Sequence, residues 1–322
     1  MNQYVPVPLS VFGLPGDVQV PGRMTNSAHP FLRRVMPFAF SQEIFRVLQF
    51  AWLREVNRQP HQPRRGVWLS GPKGAGKTTV IEQFFARLGI PIASLTCNRE
   101  FRIADAVQSK TLVPNDNGGM TIVPVDGPLG IAMRDGFPVV LNELDLADPA
   151  ELTGLNDIVD RGFYVVPDSG EVIEAAAGFM VMAAANSNGS GDLSGEYAGV
   201  ATMNSALMSR FYKFEVGYPS RADELEILRQ AGVVSDEDET VAEKVCEIAD
   251  LLRKAYRSGS NGLTTPISTR EVIDITEAVG AFAHLVDKNI SPMKYAFALC
   301  YGNGLPPPAR KAVEEVIDRV AA

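Results

Sequence analysis

The sequence predicts an α/β protein: a parallel sheet flanked by helices, followed by a C-terminal segment made of helices alone. Three observations carry that expectation. A glycine-rich stretch, Gly71-Pro72-Lys73-Gly74-Ala75-Gly76-Lys77-Thr78-Thr79, separates a short apolar run, Gly66-Val67-Trp68-Leu69-Ser70, from a helical pattern over Val80 to Leu88. A second apolar run, Phe137-Pro138-Val139-Val140-Leu141, passes directly into Asn142-Glu143-Leu144-Asp145. From Tyr218-Pro219 onward the apolar spacing is helical.

The first observation carries the chemistry. Strand, glycine-rich loop and helix is the context that makes G-x-x-x-x-G-K-[ST] a phosphate cradle. Its glycines allow successive backbone N–H groups to point at an anion, and the helix starting near Lys77 adds its positive end. Lys77 is placed to reach the β- and γ-phosphates of ATP, and Thr78 to offer its hydroxyl to Mg²⁺. A glycine-rich turn without a ligand is the alternative.

Composition sets the bounds. A chain of 322 residues exceeds what one core usually serves, so one large unit and one or two small ones are expected. Net charge is −8, from 30 basic and 38 acidic residues, with no block of consecutive Lys or Arg. That argues against a constitutive nucleic-acid binder, although a ring can hide a basic pore inside an acidic body. Cys97, Cys246 and Cys300 lie far apart, as reduced and mostly buried thiols do. His29, His61 and His284 are equally scattered, so no protein-built zinc site is expected. No run reaches transmembrane length and the N-terminus lacks a signal-peptide pattern. The expected setting is the cytoplasm, without membrane insertion.

In chain order, residues 1–63 read as an N-terminal arm and a helix. The arm is proline-rich, with one short strand near Asp17-Val18-Gln19-Val20. Ser41 caps the helix, on which Ile44, Phe45, Leu48, Trp52 and Val56 recur at helical spacing. Residues 64–219 form the nucleotide-binding α/β domain. Its second strand is Ile92–Thr96. The pattern then weakens between Phe101 and Val125, where Pro114–Gly119 reads as a turn between short strands. A helix from Pro128 to about Arg134 precedes the next strand.

That strand is buried between helices and delivers its last side chains to the phosphate end of the sheet. Glu143 is placed to polarise an attacking water. Asn142 stands where an Mg²⁺-side aspartate is expected, a neutral group in place of a carboxylate. A surface turn after a core strand is the competing reading. Pro149 opens a helix to Asp160, and Phe163–Ile173 reads as a hairpin. Phe179–Ala184 is another buried strand, ending at Ala185-Asn186-Ser187-Asn188-Gly189. Asn186 there either orients the water or senses the γ-phosphate, or is a plain turn residue. A glycine-rich loop through Gly199 leads to a helix over Met203–Ser209, then Arg210 and a last strand, Phe211–Glu215. Residues 220–322 form a helical lid, with helices at about 221–231, 238–257, 269–282, 291–301 and 307–321. Ser268-Thr269-Arg270-Glu271 matches a capping box, and Ser258-Gly259-Ser260-Asn261-Gly262 reads as a flexible connection.

The order of these parts, with Ala206-Leu207-Met208-Ser209-Arg210-Phe211 and the Ser268-Thr269-Arg270 element, resembles AAA+ ATPases. It is most similar to their MoxR-like branch, which includes the ATPase subunit of cobaltochelatase and the activators of nitric-oxide reductase and Rubisco. Asn142-Glu143-Leu144-Asp145-Leu146-Ala147-Asp148-Pro149 and Ala185-Asn186-Ser187-Asn188-Gly189-Ser190-Gly191-Asp192 look like the cobaltochelatase type. The resemblance covers roughly residues 64–300.

The resemblance implies a P-loop AAA+ fold using ATP and Mg²⁺, in a homo-oligomeric ring, usually a hexamer. Gly71, Pro72, Lys73, Gly74, Ala75, Gly76, Lys77, Thr78 and Thr79 then bind nucleotide, and Thr78 and Asn142 serve the metal. Glu143 and Asn186 serve the subunit's own site. Arg210 matches the arginine finger inserted by a neighbour, and Arg270 the lid's sensor arginine. Arg161 is a further candidate for contact across subunits. The branch works with a partner carrying a von Willebrand A domain, and the 163–173 hairpin either looks like one that faces a pore or partner or is a structural hairpin closing the domain. The implied function is an ATP-hydrolysing ring that remodels or activates another protein, metal-chelatase or metalloenzyme activation included. Two alternatives stand beside it. One is a nucleic-acid motor or restriction-type ATPase; the other, motivated by Asn142, is a nucleotide-gated structural ring with weak turnover.

Overall fold

The computed structural model of the chain describes residues 4–114, 119–191, 200–234, 239–259 and 262–321. The chain divides into two compact units. The first takes Met1–Met36, Gln42–Pro72 and Lys77–Val216; the second takes Pro37–Ser41, Lys73–Gly76 and Gly217–Ala322.

The first unit opens with two strands, β1 (Tyr4–Pro8) and β2 (Gln19–Arg23), paired antiparallel, where the sequence reading expected one. Alternating prolines hide the second strand from a pattern search, because a two-stranded ribbon tolerates Pro at edge positions. Helix α1 (Gln42–Val56) follows and buries Ile44, Phe45, Leu48 and Trp52. Several hydrogen bonds tie the arm to the rest of this unit. The Trp52 indole N–H donates to the Pro21 carbonyl at 2.7 Å, and Arg23 N–H to the Leu88 carbonyl at 2.7 Å.

The central sheet is built from β3 (Gly66–Ser70), β4 (Ala93–Thr96), β7 (Val139–Asn142), β10 (Val181–Ala185) and β11 (Phe211–Glu215). Their order is β11-β3-β10-β7-β4, and every neighbouring pair is parallel. Strands β3 and β10 are buried at every position, which is why their sequences read as unbroken apolar runs. Helices α2 (Lys77–Arg87), α3 (Ile103–Val107), α4 (Pro128–Asp135), α5 (Leu155–Asp160) and α6 (Ser205–Met208) connect the strands.

Between α3 and α4 stands a hairpin of β5 (Gln108–Pro114) and β6 (Met120–Asp126), in full antiparallel register. Each strand has seven residues, longer than expected. Leu112, Met120 and Ile122 are exposed, so neither face alternates cleanly, and the strand signal is weak for that reason. The turn expected at its tip lies, for residues 115–118, outside the described residues. A second hairpin, β8 (Phe163–Val165) with β9 (Val172–Glu174), meets the first through Arg134. Its guanidinium binds Asp126 at 2.7 Å and Glu171 at 2.5 Å.

Other boundaries differ locally. The helix expected from Pro149 begins as a 3₁₀ turn, Glu151–Gly154, and becomes α-helical only at Leu155. Asp148 accepts from the Ala150 N–H at 2.9 Å, a local turn that delays the helix. The helix expected from Met203 starts at Ser205, where the Asn204 side chain caps it by accepting from Ala206 N–H. Of the glycine-rich loop, residues 192–199 lie outside the described residues.

The second unit holds α7 (Arg221–Gln230), α8 (Glu239–Arg257), α9 (Thr269–Ala281), α10 (Pro292–Cys300) and α11 (Pro307–Ala321). Leu228, Val245, Ile248, Leu252, Ile275 and Phe297 form its core. The expected capping box is present, completed by Ser268 and Glu271, and Ser220 caps α7 by accepting from Asp223 N–H. Of the connection expected after α8, residues 260 and 261 lie outside the described residues. Among the described residues no helix is long and apolar enough to cross a membrane.

Candidate functional site

Parallel strands put their C-terminal ends at one edge, and Lys77, Thr78, Asn142, Glu143 and Asn186 gather there. Strand β3 ends at Ser70, whose carbonyl accepts from Val216 N–H at 2.7 Å. The next residue, Gly71, has φ +146°, and a Cβ there would stand 2.0 Å from the Val216 carbonyl oxygen. Only glycine fits that crossing. The loop then turns through Pro72, Lys73, Gly74, Ala75 and Gly76 into α2, which starts at Lys77.

The Lys77 ammonium is buried in this edge. It donates to the carbonyls of Gly71 at 2.7 Å and Pro72 at 2.8 Å, and to the Asn186 side-chain oxygen at 3.3 Å. None of these three partners carries a charge. Burial pushes its pKa from 10.5 down to about 8, while Asp145 and then Glu143 pull it upward. A buried cation held by neutral dipoles is suited to receiving an anion.

One residue on, the Thr78 hydroxyl donates to Asn142 Oδ1 at 2.6 Å, at the end of β7. The Asn142 amide donates in turn to the Ser94 hydroxyl on β4 at 2.9 Å. A helix and two strands are thus pinned at one point, with two neutral oxygens side by side of the kind Mg²⁺ accepts. Thr79 lies one residue further into α2. Glu143 comes next on the chain. It is exposed and adopts left-handed backbone angles, φ 54° and ψ 36°, with its N–H given to the Ala184 carbonyl at 2.7 Å. Non-glycine residues in that region carry strain and concentrate at functional sites.

Asp145 is the residue the sequence reading left without a role. It is fully buried, and its Oδ2 accepts from the backbone N–H groups of Asn186 at 3.0 Å and Ser187 at 2.8 Å. Its Oδ1 has no hydrogen-bond partner among the described residues. The carboxylate therefore holds the turn that presents Asn186 to Lys77. The signal was present in the second acid two residues after Glu143, but its partners lie 41 and 42 residues away. Ser94 was missed for the same reason.

Arg210 and Arg161, both in the first unit, do not join this cluster. Arg210 precedes β11, and its carbonyl accepts from Gly66 N–H at 3.0 Å, at the start of β3. A five-residue strand separates it from the loop, about 17 Å at 3.3 Å per residue. Its Nε pairs with Asp160 at 3.3 Å and its Nη1 donates to the Ala206 carbonyl. Arg270 lies exposed in the first turn of α9, within the second unit. Arg161 is also exposed and pairs with Asp157 at 3.5 Å.

Residues 66–211 match the AAA domain of the dynein-related subfamily. The Staphylococcus haemolyticus protein SH1500 is 30% identical over 216 residues, covering 67% of this chain and 78% of that protein. The Staphylococcus saprophyticus protein SSP1341 is 30% identical over 217 residues, with the same coverage. Among solved structures, the RuvB Holliday junction branch migration motor of Thermotoga maritima aligns with a TM-score of 0.47 at 15% identity, over 84% of this chain and 73% of that one. The chain belongs to the AAA+ ATPase family.

Proposed function

We propose that this chain binds ATP with Mg²⁺ and hydrolyses it as a MoxR-type ring ATPase that remodels or activates a partner protein. The observation that carries the reading is the convergence of Lys77, Thr78, Asn142 and Asn186 on one sheet edge, with Glu143 beside them. When bound, ATP supplies the anhydride bond that is cleaved, and Mg²⁺ neutralises phosphate charge. Lys77 and the loop N–H groups of residues 71–79 hold the phosphates. Thr78 and Asn142 supply the metal's protein-side oxygens. The Glu143 carboxylate orients a water and takes its proton, and Asn186 fixes the far side of the same water. Arg210 acts on a neighbour's site, and Arg270 on the nucleotide from the helical unit.

The partner in this reading carries a von Willebrand A domain, and the assembly is a homo-oligomer, a hexamer in the branch it resembles. Metal-chelatase or metalloenzyme activation is the client chemistry of that branch.

A second reading rests on Asn142: a neutral metal-side group suits a nucleotide-gated ring with slow turnover. Steady-state ATPase assays of the wild type and Glu143→Gln separate the two. The proposal expects Mg²⁺-dependent turnover in the wild type and a background rate in Glu143→Gln, with ATP binding retained. Equal rates in both proteins favour the gated ring and refute the catalytic role of Glu143.

A further inference from the structure

Four residues of the phosphate loop, Lys73–Gly76, belong to the second compact unit. Two of them meet side chains of that unit. The Tyr218 hydroxyl donates to the Lys73 carbonyl at 2.9 Å. Gly74, with φ +75°, abuts Ser268, and a Cβ on it would stand 2.3 Å from Ser268 Cβ.

Both holding points trace to one buried guanidinium. Arg253 on α8 and Glu224 on α7 are 3% and 1% exposed. The two Arg253 Nη groups donate to the two Glu224 oxygens at 2.8 Å each. Its Nε donates to the Ile267 carbonyl at 2.9 Å, fixing the residue immediately before Ser268. The face of the same guanidinium lies 4.4 Å from the centre of the Tyr218 ring. A planar fork does all of this at once; an ammonium cannot. Buried pairs of this kind add little net stability over apolar replacements.

We propose that Tyr218, seated on the Arg253–Glu224 pair, is a positioning residue for the phosphate loop. The peptide between Lys73 and Gly74 is planar and trans. Drawing its carbonyl toward Tyr218 therefore aims the Gly74 N–H the opposite way. The tyrosine sets the direction of a donor in the loop without touching the nucleotide. This inference rests on the ATP-binding reading of that loop.

Tyr218→Phe deletes only the hydroxyl and keeps the ring over Arg253; Tyr218→Leu removes the stack as well. Calorimetric titration of Mg²⁺-ATP into the full chain, with steady-state kinetics alongside, tests the proposal. Tyr218→Phe should weaken ATP binding roughly fivefold, the size of one net hydrogen bond. It should raise KM and leave kcat unchanged, because the contact is made equally before and during the reaction. Tyr218→Leu should weaken binding further. A hydroxyl with a purely structural role would lower the unfolding midpoint and leave affinity intact. Affinities of both variants within about twofold of wild type overturn the proposal. Failure of the ATP reading looks different: the wild type gives no binding heat, or Lys77→Ala binds as the wild type does, and the inference falls with it.

Discussion

Lys77 shows how a single side chain reports the purpose of its site. A buried ammonium with no charged group in hydrogen-bond contact costs stability, and the same burial lowers its pKa to about 8. The sign follows from proton counting. Between about pH 8 and pH 10.5 the unfolded chain binds more protons at this position than the folded chain does. Stability therefore rises with pH across that window, and below it the full cost of the buried charge is present. Urea unfolding of the ligand-free wild type and Lys77→Met should show the wild type gaining on the variant as pH rises from about 8. A difference that stays flat with pH contradicts the buried-charge account. The loop that carries Lys77 and Thr78 was legible in the sequence because its glycine spacing and the helix after it are local features. Asp145 was not, because its role exists only once the turn at Asn186 folds against it.

The elements follow the same division between local and distant causes. The start of α9 was readable because Ser268 and Glu271 are three residues apart and satisfy each other's backbone donors. Ser268→Ala should lower the unfolding free energy by about 1 kcal/mol, measured by urea denaturation. A loss below a few tenths would mean that the contacts of the second unit hold that helix end without its cap. Strands β3 and β10 were equally plain, since burial on both faces leaves continuous apolar runs. The β5–β6 hairpin was blurred by the opposite circumstance, exposure on both faces. Tyr218 was invisible as a positioning group because its acceptor, Lys73, is 145 residues away.

At the scale of the molecule, the place of Arg210 is the informative feature. It sits at the start of β11, a strand's length from the loop of its own chain. In the proposed reading, an arginine there acts on a neighbouring subunit. Arg210→Ala should keep ATP binding and lose turnover, and mixing it with Glu143→Gln subunits should restore part of the rate. A rate that stays at the level of the inactive parents at every mixing ratio contradicts action across subunits. All of this presupposes that the loop holds a nucleotide, and calorimetry of Mg²⁺-ATP with the wild type and Lys77→Ala tests that most directly. The account predicts saturable binding by the wild type and a loss of roughly a hundredfold or more in the variant, because a desolvated charge-assisted contact is removed. Equal affinities in the two proteins would contradict it.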